Sequence, residues 1–257
     1  MRFTSLIIIV FAVFSRVDGQ ENPIRSIDDL SNTSVLLYQP ITKDSAKTGT
    51  GNIIVASHKY FILTAAHVIE GFNPLAKVVF HLPGDKPLPV DLTDLTKGNL
   101  KWQIHPVADL AIIQIFPNTP EIDSICLKYG FPGDKLSSGD TLPPRNSEFA
   151  FFGYPIFDPK PTHFSAISFD GRLASGFITG KRADTHTQSD FIYMNVPSMQ
   201  GCSGSGVYFN FASFITTFGG GTWMIGIIHG VAGDETGGKL AMITPLSYLK
   251  GWNIDVK

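Results

Sequence analysis

Nine short runs rich in β-branched and aromatic residues, most of them closed off by Gly, Pro, Asn or Asp, set the narrowest limits on how this chain folds. Four lie at 53–56 (IIVA), 60–64 (YFILT), 77–82 (KVVFHL) and 110–116 (LAIIQIF). Five more follow at 148–153 (EFAFFG), 191–196 (FIYMNV), 205–209 (SGVYF), 223–228 (WMIGII) and 240–244 (LAMIT). Strands at this spacing, without helices between them, build sandwiches or barrels. The stretch 131–146 (FPGDKLSSGDTLPPRN) carries three Pro and two Gly and no periodicity, which marks a linker between two halves. The expected fold is all-β: a first β-barrel over 48–130, the linker, and a second over 147–257. Residues 246–252 (LSYLKGW) are expected to form a short C-terminal helix packing its Leu and Trp on the second half.

Composition narrows the function. With 25 Gly and 17 Pro the chain has too much punctuation for a helix bundle, and 43% hydrophobic residues can fill a sizeable core. A formal net charge of −2 leaves no electrostatic footprint for nucleic acid. At the N-terminus, Arg2 precedes a nine-residue apolar run from Leu6 to Phe14, too short to span a bilayer. Val17 and Gly19 are small enough to direct cleavage before Gln20, so residues 1–19 read as a signal peptide. A secreted, extracellular protein with no membrane span after signal removal is expected, with 20–47 as an N-terminal segment that could be a propeptide. Only Cys126 and Cys202 are present, which is no disulfide scaffold, and free thiols are expected. Asn32-Thr33-Ser34 is a glycosylation sequon of little weight.

Three local strings carry chemistry. Leu63-Thr64-Ala65-Ala66-His67 ends an apolar strand with small residues, letting the His67 imidazole sit at a cleft edge. By itself such a histidine is more often a satisfied core or surface residue. Asp109 stands immediately before the run Leu110 to Ile113. A carboxylate there costs several kcal/mol unless something hydrogen-bonds it. It is either a strand cap or an acid that orients a histidine. Gly201-Cys202-Ser203-Gly204-Ser205-Gly206 is a glycine-punctuated turn between two strands. It is either a flexible loop or a rigid turn whose N–H groups converge on an oxyanion. No lysine follows at phosphate-loop spacing.

Together, in the order His67, Asp109, Ser203, the strings TAAH, DLAII and GCSGSG resemble the three signatures of trypsin-like, chymotrypsin-fold serine peptidases. Phe152-Gly153-Tyr154-Pro155 further resembles a segment of the glutamyl endopeptidase (V8-like) branch. The resemblance spans roughly residues 48–250. It implies two antiparallel six-stranded β-barrels with the active site in the cleft between them. It implies a secreted, monomeric serine endopeptidase acting on protein or peptide substrates, with no cofactor and no metal. Ser203 would be the nucleophile, His67 the general base and Asp109 the orienting acid, with the N–H groups of Gly201 and Ser203 as oxyanion hole. Ser205 could be the nucleophile only if the frame slipped by two residues. Ser198 and His229 would line the specificity pocket and favour Glu or Gln before the cut. Cys202 stands where the digestive enzymes carry an aspartate that pairs with a newly cut N-terminus, and no Ile-Val-Gly-Gly-like start is present. Activation by that switch is therefore not expected. Two other classes are open: a catalytically silent protease-fold binding module, and a lipase or esterase, which would need a parallel sheet and the order Ser, Asp, His.

Overall fold

The structure, a computed structural model, describes residues 26–42, 45–145, 147–156, 158, 161–182, 184–209 and 222–252. The expected signal peptide and its cleavage site lie outside these residues. The first half contributes β1 (Ser34–Pro40), β2 (Ala46–Ala56), β3 (Lys59–Thr64), β4 (Lys77–Leu82), β5 (Lys86–Asp91), β6 (Gln103–Ile104), β7 (Ala111–Ile115) and β8 (Phe131–Pro132). They form one sheet in the order β5-β4-β1-β2-β3-β7-β6, with β8 joined in parallel to β2. The second half contributes β9 (Glu148–Gly153), β10 (Ile167–Arg172), β11 (Ile178–Lys181), β12 (Gln188–Met194), β13 (Gly206–Phe209), β14 (Met224–Gly233) and β15 (Lys239–Pro245). Their order is β10-β9-β13-β14-β15-β12-β11.

All nine runs found in the sequence are strands, because each is apolar enough to be buried. In β3, Phe61 to Thr64 are buried, and β7 buries all but one of its residues. Strands covered on both faces lose the alternation of a half-solvated strand and read as continuous apolar runs. Leu37, Ile53, Ile62, Val78 and Phe80 fill the first core, while Phe149, Phe151, Ile192, Val207, Ile228 and Ile243 fill the second. Each such side chain contributes about 1.5–3 kcal/mol through burial. The rim of the first sheet is β5, whose Pro87 and Pro89 lack the N–H groups that would invite another strand.

Four expectations need correction. The sheets have eight and seven strands and run as open paths among the described residues, rather than two closed six-stranded barrels. The first unit begins before residue 48: β1 lies between β4 and β2 with Val35 and Leu37 fully buried, so residues 34–40 are a central strand. The linker is anchored at its start, where Phe131 pairs with Ile54 and is itself buried. At the C-terminus the expected helix is a single 3-10 turn, Leu246–Leu249, and Tyr248 and Trp252 pack their rings on His105 of the first half. One helix was not foreseen: α1 (Ile27–Ser31), α2 (Ala66–Ile69) and α3 (Leu92–Leu95) are single turns, but α4 (Pro120–Tyr129) has ten residues.

Two polar residues of β2, Thr50 and Asn52, tie the halves together. Asn52 is fully buried; its Nδ2 donates to the carbonyls of Leu63 and Gly204 at 3.0 and 2.7 Å, and its Oδ1 accepts from the Gly206 N–H at 2.8 Å. Asn52→Leu would strand Gly204 O and Gly206 N, costing about 2 kcal/mol or more. The expected result is a midpoint lower by roughly 4–8 °C in thermal unfolding followed by circular dichroism. An unchanged midpoint would refute the role of this bridge.

Candidate active site

The first half supplies two of the site's groups. β3 ends at Thr64, and through Ala65 the chain turns at once into α2, where His67 is the second residue. Ala65 and Ala66 are buried against the core, so the short side chains the sequence offers there allow the close approach. Asp109 ends a tight turn shaped by His105, whose Nδ1 accepts from the N–H groups of Val107 and Ala108 at 3.1 and 2.8 Å. The His67 N–H donates to Asp109 Oδ1 at 2.9 Å, and His67 Nδ1 meets Oδ2 at 2.6 Å. An ionised carboxylate only accepts, so Nδ1 carries a proton, and it is the neutral form of the ring that leaves Nε2 bare. The His67 side chain is 27% exposed, enough to meet a substrate.

The second half supplies the serine. In the turn from Met199 to Ser205, Gly201 and Gly204 have φ of +93° and +90°. A Cβ on Gly201 would lie 2.4 Å from the Tyr154 carbonyl, and one on Gly204 would lie 1.9 Å from the Thr50 carbonyl. Only glycine fits either position. Thr50 braces the same turn: its N–H donates to the Ser203 carbonyl and its hydroxyl to the Gly201 carbonyl, both at 2.8 Å. The N–H groups of Gly201 and Ser203 make no hydrogen bond among the described residues, while those of Cys202, Gly204 and Ser205 are all used. This turn therefore offers two N–H donors, the arrangement an oxyanion hole needs. Ser203 Oγ donates to the carbonyl of His229 at 3.2 Å rather than to His67.

The structure places the His229 side chain, read in the sequence as a pocket residue, on Asp109. The β14–β15 register shifts between Ile228 and Gly230, leaving His229 as the extra residue of a bulge. A bulge re-aims its side chain, and here it turns the imidazole inward, where Nδ1 meets Asp109 Oδ2 at 2.5 Å. The ring lies edge-on to His67 at 5.4 Å and against Phe191 at 5.2 Å. Ser198 donates its hydroxyl to the Gly230 carbonyl at 2.6 Å.

Asp109 is thus completely buried and heavily hydrogen-bonded, with Arg182 Nη2 reaching Oδ1 at 3.3 Å as well. Burial alone would raise its pKa, but the hydrogen bonds from His229 and His67 outweigh that cost and hold it far below the usual carboxylate range. The ligand atoms of His67, Asp109 and His229 lie within 4.8 Å of one another, the spacing of a metal site. Both Nδ1 atoms are spent on the carboxylate, however, and the Arg182 guanidinium opposes a further cation. The cysteines are buried thiols; burial pushes Cys126 up to about 12 and Cys202 up to about 11, so neither is a ready nucleophile.

Two mainly antiparallel sheets that bring His67, the buried Asp109 and the Ser203 turn together define the chymotrypsin-like class of fold. The sequence profile of the trypsin-like peptidase domain family matches residues 49–210, and the chain belongs to that family. No curated protein matches the sequence. In three dimensions the chain is similar to the Rv3671c protease from M. tuberculosis. Its active form gives a TM-score of 0.56 at 16% identity over 88% of this chain and 82% of that one. The inactive form gives 0.52 at 17% identity over 86% and 87%. At such identities the likeness establishes the fold.

The depressed Asp109 fixes a pH dependence of stability. A carboxyl lowered by folding adds stability that is fully present above its unfolded value and is lost as pH falls below roughly 4. Unfolding free energies from urea titrations between pH 6 and pH 3 should fall more steeply for the wild type than for Asp109→Asn. Parallel curves would show that Asp109 is not held ionised by the fold.

Proposed function

We propose that the protein is a serine endopeptidase that cleaves protein or peptide substrates through an acyl-enzyme on Ser203. The observation that carries the reading is the His67–Asp109 pair: Nδ1 is fixed on a buried, ionised carboxylate, so Nε2 is the base. Ser203 Oγ rotates about its Cα–Cβ bond from the His229 carbonyl onto His67 Nε2, since catalytic hydrogen bonds often form only with substrate bound. His67 takes the hydroxyl proton as Oγ attacks the scissile carbonyl, and Asp109 stabilises the imidazolium. The N–H groups of Gly201 and Ser203 receive the developing oxyanion, each worth about 10²–10³ in rate. His67 then protonates the leaving amine, and water repeats the sequence to release the acid.

Export to the extracellular space rests on the apolar run at 6–14, and the N-terminal residues that would be removed end before the central strand β1. The Glu or Gln preference read from Ser198 and His229 is not favoured by this geometry. The Ser198 hydroxyl proton is committed to Gly230 and His229 Nδ1 to Asp109, and Nε2 of a neutral His229 is then an acceptor with no proton for a substrate carboxylate. A second reading, a silent protease-fold binding module, draws on one observation, the hydrogen bond of Ser203 to His229 instead of His67. The lipase or esterase alternative loses its ground: among the described residues the strands pair antiparallel, apart from the short β2–β8 contact and the single Leu136–Met224 bridge.

A fluorophosphonate probe decides between enzyme and silent module, because it reacts only with an activated serine. The wild type should label at Ser203 and hydrolyse a peptide library. Ser203→Ala should lose labelling and about six orders of magnitude in turnover, and His67→Ala a comparable amount, without loss of fold. A folded wild type that neither labels nor cleaves would establish the silent module.

A further inference from the structure

Arg182 follows directly on β11 in the second half and reaches across to the acid of the first. Its side chain is 4% exposed, which a guanidinium tolerates only when its donors are spent. Nη1 donates to the Val107 carbonyl at 2.9 Å and Nη2 to Asp109 Oδ1 at 3.3 Å. Nε and Nη2 together grip both oxygens of Asp184 at 2.9 and 2.5 Å. One side chain therefore holds the acid, the turn that presents it, and a carboxylate of its own half.

The acyl-transfer chemistry does not call for this cation. The imidazolium that forms on His67 draws on the charge of Asp109, and a guanidinium on the other oxygen of that carboxylate draws on the same charge. Asp184 counters the guanidinium in turn, and Arg182 holds the Asp184 carboxyl below its usual range despite partial burial, which acts the other way. We propose that Arg182 is a positioning residue of the peptidase: it orients Asp109 so that Oδ2 faces both imidazoles, and with Asp184 it sets how much carboxylate charge reaches His67. The inference rests on the His67–Asp109–Ser203 reading.

The charged and titratable groups around Asp109 are few. His67 faces it from α2, His229 from the β14 bulge, and Arg182 with Asp184 from the segment after β11. His105 lies on its own turn, and burial, reinforced by Arg182, keeps its pKa below the usual imidazole range. Removing Arg182 takes the guanidinium charge from Asp109 and leaves it to His67 and His229, which favours a protonated imidazole beside it, so activity on the acid side is lost at higher pH. Removing the charge of Asp184 frees the guanidinium to act on Asp109 alone, and the acid limb moves to lower pH.

The test is the second-order rate of fluorophosphonate labelling of the full chain against pH. Arg182→Gln should raise the midpoint of the acid limb by roughly 0.5–1 pH unit, and Asp184→Asn should lower it. Arg182→Lys, which keeps the charge but loses the planar fork, should label more slowly with its acid limb near that of the wild type. A scaffold role alone would slow all three with superimposable profiles, and that result, or shifts of the same sign, overturns the proposal. If Arg182→Gln does not fold, Asp184→Asn decides alone: an acid limb at the wild-type pH refutes the inference. A folded wild type with no labelling at any pH refutes the peptidase reading itself, and this inference with it.

Discussion

The carboxylate of Asp109 lies out of reach of water and accepts hydrogen bonds from both halves of the molecule: from His67 in the first, and from His229 and Arg182 in the second. A lone charge at that depth would cost several kcal/mol, and its partners offset the cost only while the two sheets stay docked. The geometry around Asp109 and the packing of the halves are therefore one problem. Taking away a single partner leaves buried charge uncompensated, a loss of about 3–5 kcal/mol in comparable cases.

The serine turn depends on the same docking from the other direction. Thr50 and Asn52 extend from the first sheet into the second, and Gly204 lets the Thr50 backbone come close enough for those bonds to form. With the backbone of the turn fixed at Gly201, Ser203 and Gly204, the Ser203 hydroxyl keeps its freedom about one bond. The two unspent N–H groups of the turn are thus held in place, while the Ser203 hydroxyl has a single rotation open to it. An arrangement of that kind concentrates motion in the group that must move.

Much of this was legible in the sequence, and the gaps have physical causes. The nine apolar runs are strands because burial on both faces writes itself as unbroken hydrophobicity. β1 carries the same signal in SVLLYQP, but it lies within the N-terminal segment that reads as a propeptide behind the leader. β5, β10 and β11 lie at sheet edges, with proline or with polar residues facing water, so little burial marks them. The helix α4 was readable: Thr119 caps it, Pro120 opens it, and Glu121 and Asp123 stand in its first turn. His67, Asp109 and Ser203 could be found because small residues, an apolar strand and glycines flank them in short strings. Thr50 and Asn52 left a weaker trace, polar residues interrupting a strand that should be buried. Arg182 left little, since its partners in the first half lie 73 and 75 residues away in the chain. The bulge at His229 escaped for a related reason: register is a property of two strands, and one strand's sequence shows only its own half.

The sharing of one carboxylate oxygen by two imidazoles is the claim on which the rest depends, and proton NMR reports on it directly. A hydrogen on Nδ1 held by a buried carboxylate resonates far downfield of ordinary ring N–H signals and exchanges slowly enough to be seen. The protein labelled with ¹⁵N-histidine should show two such resonances, one lost in His67→Ala, the other lost in His229→Ala, and both lost in Asp109→Ala. A single downfield resonance that survives His229→Ala would contradict the account.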